Sequence, residues 1–377
     1  MRHTLICTVG TSLMGNLSRL SPDDPIYQAW DAENLKAVAL ALLQKEPSER
    51  LCGAEINSIA SICQEGILDR RLCLIFLVSD TPDGKKIGQL LEQYYRHNTN
   101  PFQFEQVESS RVLTGLNDQS VATFQQEGLK NLVREISLEV QKRSPESIAI
   151  NATGGYKAQI SFAGMIGQAF EIPVYYLFER FSKVIELPPQ PVSLDLNLWL
   201  NHYGLFEELE QQQQLPKSEV ADDLQDLPVG AMIDEVGLAS PDGEDVPYVA
   251  LSAMGQLFHN RCRLQFAKQE TTLLSLVPQV ETPPDQKPIK LRDDHGKDVL
   301  EDFAQKIRQY PYVTAIVNSL PFNPKALHPI RRAKPNGLIE FVLTWTDVGY
   351  GICIQTTGRT RAETNTVAIH LAKTYQA

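Results

Sequence analysis

The first half of the chain predicts an α/β fold: helices layered around a mostly parallel sheet. Three observations carry this. Short apolar runs of strand length alternate with longer segments whose apolar residues recur at helical spacing. Leu72–Val78 is apolar throughout, the pattern of a strand buried on both faces. Three runs end in small polar turns, Gly10-Thr11-Ser12, Ser79-Asp80-Thr81 and Asn151–Lys157. In open parallel sheets ligands bind beyond the carboxyl ends of the strands, so these turns are expected at one edge.

The elements follow in order. His3–Val9 is a strand. Asp31–Lys45 has helical spacing in Leu35, Val38, Ala39 and Leu42 and stops near Pro47. Glu55–Glu65 reads as a second helix, Leu72–Val78 as a strand and Lys85–His97 as a helix. Asn117–Arg143 is mostly helical. Ser147–Ile150 is a strand, Ala158–Phe170 a helix, Val174–Phe178 a strand, and Lys183–Leu187 adds an edge strand. Pro188-Pro189-Gln190-Pro191 is a stop signal. Leu194–Gln214 looks helical and Ser218–Asp226 acidic and exposed. Met232–Glu235, the turn Ser240–Gly243, the strand Tyr248–Leu251 and the helix Ser252–Arg263 suit a winged-helix-like module. Proline returns at 278, 283, 284 and 288 and marks a second linker. Beyond it stand a strand or turn near Ile289–Arg292, a helix over 298–310 and a hairpin of Leu338–Trp345 with Tyr350–Thr356. The expected domains are residues 1–190, 191–285 and 286–377.

The 377 residues allow two or three such domains. No run approaches the ~18 apolar residues of a membrane span, and Met1–Asn16 lacks a signal-peptide pattern. Six cysteines without CxxC or zinc-finger spacing predict buried free thiols in a reducing cytoplasm, with no metal site. The net charge of −11 is unevenly spread. Residues 1–192 hold 18 basic and 22 acidic side chains, 193–286 hold 4 and 16, and 287–377 hold 13 and 8. The tail, at +5, is where a polyanion would bind. The middle, at −12, repels DNA and reads as a connector or dimerisation segment.

Asn151-Ala152-Thr153-Gly154-Gly155-Tyr156-Lys157 sits between a strand and a helix. Its glycines let the backbone approach a ligand, the helix start offers free N–H groups, and Lys157 adds positive charge, which together suit phosphate. The spacing is neither GxxxxGK[ST] nor GxGxxG. A purely structural turn would tolerate the same glycines.

Three segments, Thr8-Val9-Gly10-Thr11-Ser12-Leu13, Ser79-Asp80-Thr81 and Ala152-Thr153-Gly154-Gly155-Tyr156-Lys157, give a more specific signal. Through them residues 1–190 resemble a CARF domain, the Rossmann-like sensor of type III CRISPR systems, in the branch that includes stand-alone ring nucleases. The resemblance implies a homodimer that binds a cyclic oligoadenylate across its two-fold axis, with cyclic tetra-adenylate the expected ring and allosteric activator. The implied ligand-binding residues are Gly10, Thr11, Ser12, Asp80, Thr81, Thr153, Gly154, Gly155, Tyr156 and Lys157. Tyr156 would stack on a base. In related ring nucleases a serine and a lysine at the positions of Ser12 and Lys157 support metal-independent cleavage, in which a 2′-hydroxyl attacks its own phosphate. Here these two either cleave the ring slowly or only bind it.

CARF sensors usually carry an effector. A HEPN ribonuclease requires Arg-x4–6-His, and none of the seven histidines has an arginine at that distance upstream. Pro284-Asp285-Gln286-Lys287 is the nearest fragment to a PD-(D/E)xK nuclease, and it lies in a proline-rich linker. The basic tail resembles instead a RelE-type toxin, a small α+β ribonuclease that works with basic side chains rather than metal. Gly358-Arg359-Thr360-Arg361 resembles that family's Gly-x-Arg-x-Arg stretch, whereas Asn365 falls near the place of its late tyrosine. The implied RNA-binding and catalytic residues are Lys325, His328, Arg331, Arg332, Lys334, Tyr350, Arg359, Arg361 and His370. The arginines would hold phosphate oxygens while a side chain moves the protons.

Three readings follow. The first is a dimeric ribonuclease activated by cyclic oligoadenylate, acting without metal on RNA that is free or ribosome-associated. The second is a ring nuclease whose tail is structural. The third is a non-enzymatic regulator that responds to the ring.

Overall fold

A computed structural model describes residues 1–178, 181–189, 194–239, 245–292, 297–320, 330–345 and 348–375. The chain divides into two units: Met1–Ser193 with Ser252–Phe258, and Leu194–Leu251 with His259–Ala377.

The first unit opens with β1 (Thr4–Thr8), α1 (Ser12–Leu17), α2 (Pro25–Asp31), α3 (Leu35–Leu42), α4 (Gly53–Gln64), β2 (Cys73–Ser79) and α5 (Pro82–Arg96). It continues with β3 (Gln106–Val107), β4 (Arg111–Leu113), α6 (Val121–Thr123), α7 (Leu129–Arg143), β5 (Ile148–Asn151), α8 (Lys157–Phe170), β6 (Val174–Tyr176) and β7 (Ile185–Leu187). The sheet runs β3-β2-β1-β5-β6-β7, with β4 extending β2 beyond β3. Every pairing is parallel except that of β7 with β6. This is the largely parallel central sheet expected. The chain first builds outward from β1 through β2, then returns to place β5 on the other side of β1. The strand order therefore reverses between β1 and β5.

Burial explains these strands. All residues of β1, β2 and β5 are buried, so none of them carries a charge. Helices on the face of α3, α4 and α5 close the main core around Leu13, Val38, Ile56, Ile59, Leu74, Phe76 and Leu90. Local details depart from the expected elements. Thr11-Ser12 passes straight into α1. The helix expected over Asp31–Lys45 is interrupted, because Asn34 caps α3 by accepting the Ala37 N–H at 3.1 Å. Asn117–Gln119 precede the helical segment, Ser120 caps α6, and one wide turn at Phe124–Gly128 leads into α7. There Gly128 lies against the backbone of Leu116, where a Cβ would come within 2.7 Å of Cα.

The second unit contains α9 (Leu196–Asn201), α10 (Tyr203–Gln212), β8 (Leu215–Pro216), α11 (Lys217–Val220), α12 (Val229–Met232), β9 (Ile233–Ala239) and β10 (Asp245–Leu251). Then follow α13 (Ala253–Ser275), α14 (Lys297–Ile307), β11 (Val313–Leu320), β12 (Ile330–Ala333), β13 (Leu338–Trp345), β14 (Val348–Thr356) and α15 (Arg361–Tyr375). The helix expected over Leu194–Gln214 breaks at His202, and the acidic segment Ser218–Asp226 is not wholly exposed, since Val220 and Leu224 are buried. The strand–strand–helix order of the middle segment is present as β9, β10 and α13; the turn Ser240–Gly243 lies outside the described residues. One antiparallel sheet runs β8-β10-β9, another β11-β14-β13-β12. The β13–β14 hairpin matches expectation. Neither β11 nor α15 was expected. Asn365 on α15 donates to the carbonyl of Leu200 on α9 at 2.7 Å, joining the acidic segment to the basic tail. Among the described residues no helix is long and apolar enough to cross a membrane.

Candidate functional site

The carboxyl ends of β1 and β5 bring two glycine turns back to back. The Thr8 hydroxyl donates to the Gly154 carbonyl across the strands. A Cβ on Gly10 would lie 2.7 Å from the Gly155 nitrogen. A Cβ on Gly154 would fall on Glu55 Oε1 and 2.8 Å from the Gly10 nitrogen. Only glycine fits at either place. Gly155 has φ +111°, a second reason for glycine in the same turn.

The β5 turn is held from below. Asn151 is buried; its amide donates to Ser58 Oγ at 2.8 Å, and its Oδ1 accepts from the Thr153 hydroxyl at 2.7 Å and the Thr153 N–H at 3.3 Å. Thr153 in turn accepts the Leu177 N–H at 3.0 Å. These bonds spend the polar groups of Asn151 and Thr153 on shape. They leave the turn to end at Tyr156 and at exposed Lys157, the first residue of α8. The Tyr156 ring meets Phe124 edge-on, with centroids 5.3 Å apart.

On the β1 side, Thr11 and Ser12 are exposed. Ser12 Oγ accepts the Ala54 N–H at 3.2 Å, which leaves its own proton free to donate. Gly10 N–H points inward to Glu55 Oε1 at 2.7 Å. Glu55 escaped the sequence reading. Its one sequence signal is an acid in register with Ile59 and Ile62 on the buried face of a helix.

The β2 turn is committed differently. Thr81 caps α5 by accepting the Gly84 N–H at 3.0 Å, and its hydroxyl meets Ser79 Oγ at 2.9 Å. Asp80 pairs with Lys85 at 2.8 Å, and that lysine holds its carboxyl below the usual range. Of the ten expected ligand residues, the structure thus groups eight on the β1 and β5 turns. Asp80 and Thr81 stand at the same sheet edge beyond β1, with their side chains already bonded.

Of the expected tail residues, Lys325 and His328 lie outside the described residues, as do the side chains of Arg331, Arg332 and Tyr350. Arg359 is bound through its guanidinium to Glu363 at 2.8 and 3.1 Å. Arg361 pairs with Asp223 at 2.9 Å, and Lys334 with Glu340 at 3.6 Å. The turn after Lys334 lies against Gly358, since a Cβ on Gly337 would sit 2.7 Å from the Gly358 carbonyl. His370 does not join them. It lies nine residues beyond Arg361 on α15, about 13 Å along and on the opposite face. There it bonds Glu270 through Nδ1 and stacks on Tyr310 at 5.0 Å. The histidine electrostatically linked to Arg361 is buried His202, which sequence reasoning passed over; burial and Arg361 lower its pKa. Lys287 of the Pro284–Lys287 fragment is buried and donates to the Tyr310 carbonyl at 2.8 Å, a structural tie.

One group of metal-type ligands occurs among the described residues, Glu207, Glu210 and His259. Trp199 Nε1–H donates to His259 Nδ1 at 2.8 Å, and Arg263 Nη2 stands 2.7 Å from Nε2, so both ring nitrogens already face donors of the chain itself. Arg263 bridges the two carboxylates, at 2.9 Å from Glu207. The cluster is an ion-pair network closed by a cation of the chain itself.

Residues 50–190 match the model of the CRISPR-associated protein family Cas_APE2256. The match covers Glu55, the β2 turn and the whole β5 turn. One matching solved structure is Can2 from Sulfobacillus thermosulfidooxidans in complex with cyclic tetra-adenylate. It is 10% identical, the match covers 74% of this chain and 68% of that one, and the TM-score is 0.25. No curated protein matches the chain.

Proposed function

We propose that the chain is a cyclic-oligoadenylate-gated ribonuclease of type III CRISPR defence, with a CARF-type sensor in residues 1–190. One observation carries the sensor: two glycine turns meet at the point where the strand order reverses, beside exposed Ser12 and Lys157. Backbone N–H groups there suit phosphates, Lys157 offsets their charge, and Tyr156 offers a ring to an adenine. The family match over residues 50–190 supports the CRISPR setting. Cyclic tetra-adenylate is the expected ring, and a homodimer would present two such sites to it. The tail, with Lys334, Arg359 and Arg361, is the proposed RelE-like, metal-independent effector, and the middle segment its winged-helix-like connector.

The test is cleavage of labelled RNA in EDTA, with and without cyclic tetra-adenylate. The expected outcome is cleavage only with the ring. Arg359→Ala with Arg361→Ala should abolish it and leave ring binding unchanged. Lys157→Ala should weaken ring binding by about tenfold or more, the value of one charge-assisted phosphate contact. RNA left intact while the ring is linearised would favour a ring nuclease. One observation favours that second reading: Arg359, Arg361 and Lys334 are each engaged by a carboxylate. Binding without either cleavage would leave the non-enzymatic regulator.

A further inference from the structure

We infer that Glu55 is the positioning residue of the ring site: its buried carboxyl sets the spacing of the two glycine turns against which the phosphates of a cyclic oligoadenylate would lie. The inference rests on the ring-binding reading above. Glu55 is 1% exposed, at the start of α4. Its Oε1 takes the Gly10 N–H at 2.7 Å and also occupies the space above Gly154 where a side chain would begin. A single oxygen thus touches both turns. Gln159 braces the next residue in the same way. It is fully buried, its Oε1 fills the space over Gly155, and it accepts the Tyr156 N–H at 3.2 Å. These two side chains form the floor of the site.

The second oxygen, Glu55 Oε2, is buried with no hydrogen-bond partner. A carboxylate in that position would carry an unsolvated charge beneath the phosphates it helps to seat. The neutral acid avoids both costs: its carbonyl oxygen accepts from Gly10, and its hydroxyl replaces the charged oxygen. Burial raises the pKa accordingly. Around it, β1 contributes Cys7, a buried thiol whose pKa burial also raises. From the β5 turn and the start of α8, Tyr156 and exposed Lys157 stand on the ligand side. Helix α1 carries no titratable side chain. Raising pH through the folded value of Glu55 should therefore weaken ring binding through this one group.

The experiment measures cyclic tetra-adenylate binding by calorimetry at a series of pH values upward from the ordinary carboxyl range, with amide hydrogen exchange on the ligand-free protein. Wild-type affinity should fall as pH rises, whereas Glu55→Gln should bind as tightly as wild type at the acid end and show no fall. Glu55→Asp, one methylene too short to reach Gly10, should bind about tenfold more weakly while melting within a few degrees of wild type. Equal pH profiles for wild type and Glu55→Gln, or full affinity in Glu55→Asp, would overturn the inference. If the wild type binds no ring, the ring-binding reading fails by itself, and exchange then decides the role of Glu55. A Gly10 amide protected in wild type and Glu55→Gln but exposed in Glu55→Ala supports it. Equal protection in Glu55→Ala refutes it.

Discussion

Gly154→Ala is expected to abolish binding of cyclic tetra-adenylate, with affinity lost by at least about a hundredfold, while the protein stays folded. The new methyl would coincide with Glu55 Oε1 and stand 2.8 Å from the Gly10 nitrogen. Neither neighbour can give way. Gly10 is backbone at the end of a fully buried strand, and Glu55 is enclosed on α4. The β5 turn must therefore move outward, breaking the register with the β1 turn. Overpacking of this kind costs about 1–3 kcal/mol, tolerable against a stability of roughly 5–15 kcal/mol. The displacement falls wholly on the surface meant to receive phosphates, where a shift of about 1 Å costs about a hundredfold. Gly164→Ala is the matched control. It lies on the same helix-bearing segment, α8, with nothing within 4 Å of a new Cβ. It should bind normally and gain about 0.5–1 kcal/mol from helix propensity. Calorimetry and thermal melts on both variants check the pair, and normal binding by Gly154→Ala would remove the back-to-back turns as the site.

The parts of this site that could be read from sequence are those defined by local rules. Gly154, Gly155 and Lys157 announce themselves because a strand, a glycine pair and a helix start are adjacent in the chain. Glu55 does not, because its partner is a backbone N–H 45 residues away. Arg359 and Arg361 look like free charge in the sequence, yet Asp223, far upstream, meets one of them. The missed elements have equally physical causes. β11 holds strand-forming residues, but bulges between Val313 and Ala315 and between Ile316 and Asn318 break its two-residue alternation. α15 buries Thr364, Asn365 and Thr366, which hide its apolar stripe. The two threonine hydroxyls are satisfied locally, each by the carbonyl four residues back at 2.8 Å. Asn365 needed Leu200 of another segment, which no periodicity announces.

Glu139→Gln should destabilise the first unit by about 3 kcal/mol or more at neutral pH, the cost of removing one partner from a buried ion pair. Glu139 on α7 is 1% exposed and takes Arg111 at 2.9 Å, Arg143 at 2.6 Å and Lys142 at 3.1 Å. Glutamine keeps the volume but removes the charge that offsets two half-buried guanidiniums. Glu108, 2.9 Å from Arg143, and Glu135, 3.2 Å from Arg111, remain and hold the loss near the lower end of the range. The pH dependence has a definite sign. The arginines push the Glu139 carboxyl down to about 2, against burial, so its contribution is complete above its unfolded value near 4.5. It is lost as pH falls from there through about 2. The gap between wild type and variant should be full at pH 7 and shrink steadily in acid. Chemical denaturation at several pH values measures it. A gap that stays constant in acid would mean that the network acts through packing rather than charge. The consequence reaches the ligand edge, because Arg111 begins β4 and the strand leads to Gly115, whose N–H faces Asp80 at 3.4 Å. Loosening that corner should weaken ring binding far less than Gly154→Ala does, since β4 and the β5 turn lie on opposite sides of β1.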